Sequence, residues 1–218
     1  MDKISTKKIV LNGVMVALVF LTTIFTRIPG PVPPGYINFG DTVIIIAAIL
    51  LGKNSGFIVG AFGPALADAI APGGMIFAPV TFIVKGLEGY LVGKIAESRH
   101  DVFKKENSGI DESSIDTRKS RISEERGKPN PGKSILYRGA SKKNEKKKIM
   151  AIAAGMVVMV AGYFIAELSI LKLFDPAFGY MAAISELPFN LIQGVVSAVL
   201  GYLLSTLLQK AGVDRLLD

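Results

Sequence analysis

Lys85 and Glu88 stand in the middle of an apolar stretch, FAPVTFIVKGLEGYLVGKIA, that runs from Phe77 to Ala96. Three residues apart on a helix, they share one face. In a bilayer an ionisable side chain is expensive, and it usually meets a partner or lines a polar cavity. Two readings follow: a structural pair that neutralises itself, or a ligand contact with its brace. Gly86 and Gly89 leave room beside the pair, which favours a cavity.

Similar groups recur later in the chain. Glu167 follows GYFIA, and ISELPFNLIQG places Glu186, Asn190 and Gln193 at steps of four and three, close to one helical face. Amide donors and acceptors together with a lysine suit a heterocycle bearing carbonyl and ring-nitrogen groups. Tyr163, Phe164, Phe77 and Phe189 are candidates to stack on a flat ring, although core or lipid-facing positions are the commoner fate of such aromatics. Tyr36 ends the Pro- and Gly-rich PGPVPPGY, and Asn38 and Phe39 lie just beyond it. They read either as a lid or wall of an outward pocket or as a plain connector. Asp41 suits an N-terminal cap. Asp68 is expected to face water or to pair with a base such as Lys85. Pro188 is expected in the first turn of its helix, where a missing N–H is harmless.

Other chemistries lack their residues. There is no cysteine, and the one histidine, His100, lies in a charged stretch, which argues against thiol catalysis, histidine triads and multi-histidine metal sites. No phosphate loop and no Gly-x-Ser-x-Gly elbow occurs. An enzyme is therefore disfavoured, and neither a metal nor a covalently bound cofactor is expected.

These groups need elements to hold them. Half of the 218 residues are hydrophobic, and the apolar runs are long enough for an all-α integral membrane protein. Six transmembrane helices are expected, at about Lys8–Thr26, Asp41–Leu51, Gly56–Ala71, Phe77–Ala96, Lys148–Leu171 and Ile184–Leu208. The second and third are short enough to be re-entrant. The run from Ile9 to Phe25 is long and lacks an obvious cleavage site, unlike a removed signal. Basic residues orient the bundle: with both termini cytoplasmic, the outer loops hold only Arg27 and Lys172.

Residues 1–96 then form four helices and 148–218 two, all in one membrane domain. Between them, residues 97–147 carry 14 basic and 9 acidic side chains, a net of +5 of the chain's +7. So polar a segment is expected to be a disordered cytoplasmic loop. A patch for anionic lipid or a partner protein is the sharper alternative. Nucleic-acid binding is not expected, because the charge is mixed and aromatics are sparse. In the first helix, Gly13 and Ala17 form a small-xxx-small pair that would admit a neighbouring helix, from this chain or another.

Three segments in this order, FGDTVIIIAAILLGKNSGFIVGAFGPALADAIAPGG, FAPVTFIVKGLEGYLVGKI and ELPFNLIQGVVSAVLG, resemble the substrate-binding S component of energy-coupling factor (ECF) vitamin transporters, the riboflavin-type group in particular. The resemblance covers all six helices and leaves out the charged loop. It implies a multi-pass protein of a prokaryotic plasma membrane that binds a vitamin from outside. The pocket would be built by the first outer loop and helices four to six. It also implies assembly with a transmembrane coupling protein and two cytoplasmic ATPases, with Gly13 and Ala17 on the coupling face. Lys85, Glu88, Glu167, Asn190 and Gln193 would supply polar contacts, alongside Tyr36, Asn38, Phe39 and Tyr163. Riboflavin is the first expectation for the ligand, and Asp68 or Glu167 for the counter-charge of Lys85. A stand-alone proton-coupled transporter and a membrane scaffold with a working basic loop are the rival readings.

Overall fold

The computed structural model describes residues 6–31, 35–96 and 131–213, without the side chains of 131–143. Six helices of a dozen residues or more occur among the described residues. They are α1 (Thr6–Phe25), α2 (Gly40–Leu51), α3 (Lys53–Ile70), α4 (Ala78–Ala96), α5 (Pro131–Ala166) and α6 (Tyr180–Lys210). By length and composition, α1, α6 and the Asn144–Phe174 stretch are apolar enough to cross a membrane, and α2 is a shorter apolar helix.

Two boundaries differ from expectation. The fifth helix begins at Pro131 rather than Lys148. Lys, Glu, Ala, Leu and Arg are good helix formers whatever their hydropathy, so an apolar-run criterion misses such an extension. The rest of the charged loop, 97–130, lies outside the described residues. The sixth helix begins at Tyr180, so Pro188 is interior and not in the first turn. There it removes one main-chain hydrogen bond.

The sequence GDTVIIIAAILL is apolar almost all round, and a helix of that kind belongs in an interior. Accordingly α2 is buried from Gly40 through Ala48. Val43, Ile44 and Ala47 pack on Val19 of α1 and Val59 of α3. Ile45 and Ala48 pack on Val92 of α4 and on Ala151 and Ile152 of α5.

The α3–α4 contact depends on missing side chains. A Cβ on Gly56 would lie 2.8 Å from the carbonyl carbon of Gly89 and 2.9 Å from the Cβ of Ala48. One on Gly86 would meet the Phe57 ring at 3.0 Å. Gly86 and Gly89 therefore seat helix against helix and do not open a cavity beside the ion pair, contrary to the sequence expectation. Small residues at such positions let backbones approach closely.

Between α1 and α2 the chain makes a short antiparallel hairpin, β1 (Ile28–Pro29) with β2 (Tyr36–Ile37), in register Ile28 to Ile37 and Pro29 to Tyr36. The C-terminal ends of α1, α3 and α5 and the N-terminal ends of α2, α4 and α6 share this hairpin end of the bundle.

Candidate ligand-binding site

A pocket opens at the hairpin end, enclosing about 500 Å³ of empty space with the solvent at its mouth included. Gly35, Tyr36 and Asn38 cover one side. Pro64 and Asp68 come from α3, and Phe77, Thr81 and Lys85 from α4 and its entry. Tyr163 and Glu167 come from α5 and its continuation, and Glu186, Asn190 and Gln193 from α6. Convergence of a few polar groups on partly apolar, aromatic walls is the pattern of a small-molecule site.

The floor is an ion network. Lys85 Nζ donates to Asp41 Oδ1 at 2.5 Å and stands 3.6 Å from Glu88 Oε2, and all three residues are 2% exposed. Gln193 donates from Nε2 to Asp41 Oδ2 at 2.7 Å and accepts the Asn38 N–H at Oε1 at 2.8 Å. A buried charge must be paired and hydrogen-bonded to be tolerated, and here one ammonium stands between two carboxyl groups. An ammonium carries three donors. Asp41 takes one, and Lys85 still lines the pocket.

Asp41 was expected as a helix cap, yet its side chain caps nothing. It is Asn38 whose Oδ1 accepts the Gly40 N–H at 2.8 Å where α2 starts. The counter-charge of Lys85 is thus Asp41, not Asp68 or Glu167. The available signal was an acid opening an otherwise apolar helix, since such a helix has no polar surroundings for it.

A second cluster holds the hairpin down. The Arg27 guanidinium lies 4.1 Å from the centre of the Tyr36 ring, and it donates at 3.3 Å both to the Tyr36 hydroxyl and to the Ala67 carbonyl. The Tyr36 hydroxyl in turn donates to Asp68 Oδ1. Burial, with the Asp68 charge adding to it, pushes the Tyr36 phenol up, so the group remains a donor at neutral pH. The hairpin is therefore attached at two points, to α3 through Tyr36 and to α6 through Asn38.

The α5–α6 wall is different. Tyr163 shares a hydrogen bond with Thr81 Oγ1 at 2.8 Å, and its ring centre lies 5.4 Å from Lys85 Nζ. Phe77 packs in an apolar cluster with Val84, Ala166, Leu171 and Phe178. One turn beyond Tyr163, the helix widens into a π-helical segment, Glu167–Leu171. The Glu167 side chain is 2% exposed, and its Oε2 has no hydrogen-bond partner among the described residues.

Of the residues singled out in the sequence, Lys85, Glu167, Asn190, Gln193, Tyr36, Asn38 and Tyr163 line one pocket. Glu88 does not line it and sits behind Lys85. Phe39 is also absent from the lining: it is half-buried, and its N–H donates to Thr26 Oγ1 at 2.9 Å. Phe164 and Phe189 do not line the pocket either. Asp41 and Thr81 belong to the arrangement as well, through contacts across 44 to 152 residues that no local pattern displays, and Glu186 lines the same pocket. Gly13 and Ala17 face outward on α1, and a Cβ on Gly13 would meet nothing within 4 Å. Packing among the described residues does not account for them.

A family model described as "ECF-type riboflavin transporter, S component" matches residues 3–113 and 132–210. Two curated proteins are similar over part of their length. A Pyrococcus woesei protein named "Uncharacterized protein in gap 3'region" is 45% identical over 75 residues, covering 34% of this chain and 49% of the relative. A "UPF0397 protein" of Streptococcus agalactiae serotype Ia is 33% identical over 91 residues, covering 42% of this chain and 49% of the relative. The chain spans about half the length of the curated relatives it matches. A solved structure described as "Structure and mechanism of the S component of a bacterial ECF transporter" superposes with a TM-score of 0.57 at 18% identity, over 94% of this chain and 96% of that one. At that identity the likeness is one of fold. The family match spans the N-terminal helices, the pocket and the last helix alike, and by it the chain belongs to the ECF-type riboflavin transporter S components.

Proposed function

We propose that this protein captures riboflavin from outside a prokaryotic cell membrane and presents it to a coupling protein and two ATPases for uptake. The observation that carries the reading is the pocket itself. It combines the aromatic side chains of Tyr36, Phe77 and Tyr163, the amides of Asn190 and Gln193 and the Lys85 ammonium, under a hairpin attached at two points. A flat heterocycle with carbonyl and ring-nitrogen acceptors suits those walls. Neither amide nor lysine needs to move far, so much of the ordering cost of binding is already met in the fold.

The orientation supports outward capture. Lys7, Lys8, Lys53, Lys94, Lys148 and Lys210 all lie toward the end opposite the hairpin. In a bilayer this asymmetry favours both termini inside and the pocket mouth outside, and the proposed arrangement has six helices across the membrane. Energy for uptake would come from the partner ATPases, since no phosphate loop occurs in the chain. The outward-facing Gly13 and Ala17 would form part of the surface that meets the coupling protein.

Mass spectrometry of small molecules that co-purify with the protein tests the ligand: a flavin is expected, and a different heterocycle would replace it. Proteoliposomes test the mechanism. Binding without uptake by this chain alone, and ATP-dependent uptake with the coupling module, are expected. Accumulation by the chain alone would support a secondary transporter instead.

A further inference from the structure

Most polar groups of the pocket already have a partner in the fold. Gln193 is committed at both ends of its amide, Tyr36 to Asp68, and Lys85 to Asp41. Asn190, half-buried, has no such partner among the described residues, and among the buried groups of the lining Glu167 stands out. It is 2% exposed and lines the pocket, and its Oε2 accepts no hydrogen bond from the described residues. An acceptor left in this state is destabilising, and native proteins rarely keep one without a reason.

Local backbone geometry singles out the same residue. Glu167 is the first residue of the π-helical segment, and such wide turns recur at functional sites because they re-aim side chains. Glu186 supplies a second carboxyl group on the facing wall. A Cβ on Gly30 would lie 2.9 and 3.0 Å from its two oxygens, so the hairpin closes directly over this end of the pocket.

From this placement we propose that Glu167 is the specificity-determining acceptor for the hydroxyl-bearing chain of the ligand. The inference rests on the flavin reading of the pocket. An unpartnered carboxyl oxygen is an acceptor, so it favours a ligand segment rich in O–H or N–H. The flavin ring offers mainly acceptors and a single N–H, whereas the ribityl chain offers four hydroxyl donors. Lys85 and Asn190, which can donate, are the matching groups for the ring carbonyls. The chain would then point to the α5–α6 wall beneath Gly30, with the ring toward Tyr163 and Phe77.

The test compares riboflavin with lumiflavin, which keeps the ring and carries a methyl group in place of the ribityl chain. Both are titrated into the purified full-length protein and into Glu167→Gln, with the change in flavin fluorescence as readout. Riboflavin affinity is expected to fall about fivefold or more in Glu167→Gln, as for a charge-assisted hydrogen bond reduced to a neutral one, while lumiflavin affinity changes less than about twofold. Retained lumiflavin binding also reports that the variant is folded. Equal losses for both ligands, or unchanged riboflavin affinity, would overturn the role of Glu167 and leave the flavin reading intact. Wild-type affinity that rises with sodium at constant ionic strength would assign the carboxylate to an ion and overturn it too. Failure of the wild type to bind either flavin would instead remove the substrate reading, and the inference with it.

Discussion

Substitution of Lys85 by methionine removes the one cation that stands between Asp41 and Glu88. With both carboxyl groups 2% exposed, solvent cannot take over its role. Breaking a buried pair from one side typically destabilises by about 3–5 kcal/mol. Asp41→Asn is a smaller change. Lys85 keeps Glu88 at 3.6 Å, and the new amide can still accept from Gln193 or Lys85. The loss then approaches that of one charged hydrogen bond, about 1.5–3 kcal/mol. The double variant should be less damaged than the sum of the two, with a coupling energy of roughly 1 kcal/mol or more, because each single change leaves part of the same interaction unpaired. Unfolding in mixed detergent micelles, followed by circular dichroism, measures all three. Additive losses, or a loss for Asp41→Asn as large as that for Lys85→Met, would refute the network as described.

The other expectations concern the lid, the helix contacts and the outer face. Tyr36→Phe deletes the hydroxyl that joins Arg27 to Asp68, and ligand release measured by stopped-flow fluorescence should quicken by about 3- to 10-fold, the value of one modest hydrogen bond. Gln193→Ala frees both the Asn38 N–H and Asp41, so hydrogen exchange at Asn38 should accelerate while amides in α1 keep their protection. Gly60→Ala would bring a Cβ to 2.9 Å from the Lys85 carbonyl carbon, and the resulting overpacking should destabilise by about 1–3 kcal/mol in the same unfolding assay. Gly13→Leu meets open space, so stability and ligand affinity should be unchanged, whereas co-purification with the coupling protein should fail.

Local patterns in the chain exposed much of this arrangement. Hydropathy located all six main helices, and the i,i+3 spacing of Lys85 and Glu88 put them on one face. The step pattern in ISELPFNLIQG likewise put Glu186, Asn190 and Gln193 close to one helical face, and all three line the pocket. What stayed hidden depends on neighbours distant in sequence. Asp41 looks like a cap because helix starts favour acids, and only the crossing of α2, α4 and α6 shows that it pairs with Lys85 and Gln193. Gly86 and Gly89 look like empty space because glycine spacing does not say whether a ligand or another helix fills the gap. The charged start of α5 escaped a reading based on apolar runs. Phe39 follows Asn38 directly, yet it does not line the pocket, because the chain bends at this residue as it enters α2.

A titration of riboflavin into the purified protein, followed by quenching of flavin fluorescence, tests the central claim most directly. The account predicts saturable binding of one flavin per chain with a Kd below about 1 μM, roughly −8 kcal/mol, and a loss of affinity when Asn190 is replaced by alanine. A folded protein that leaves riboflavin fluorescence unchanged at micromolar concentrations would contradict it.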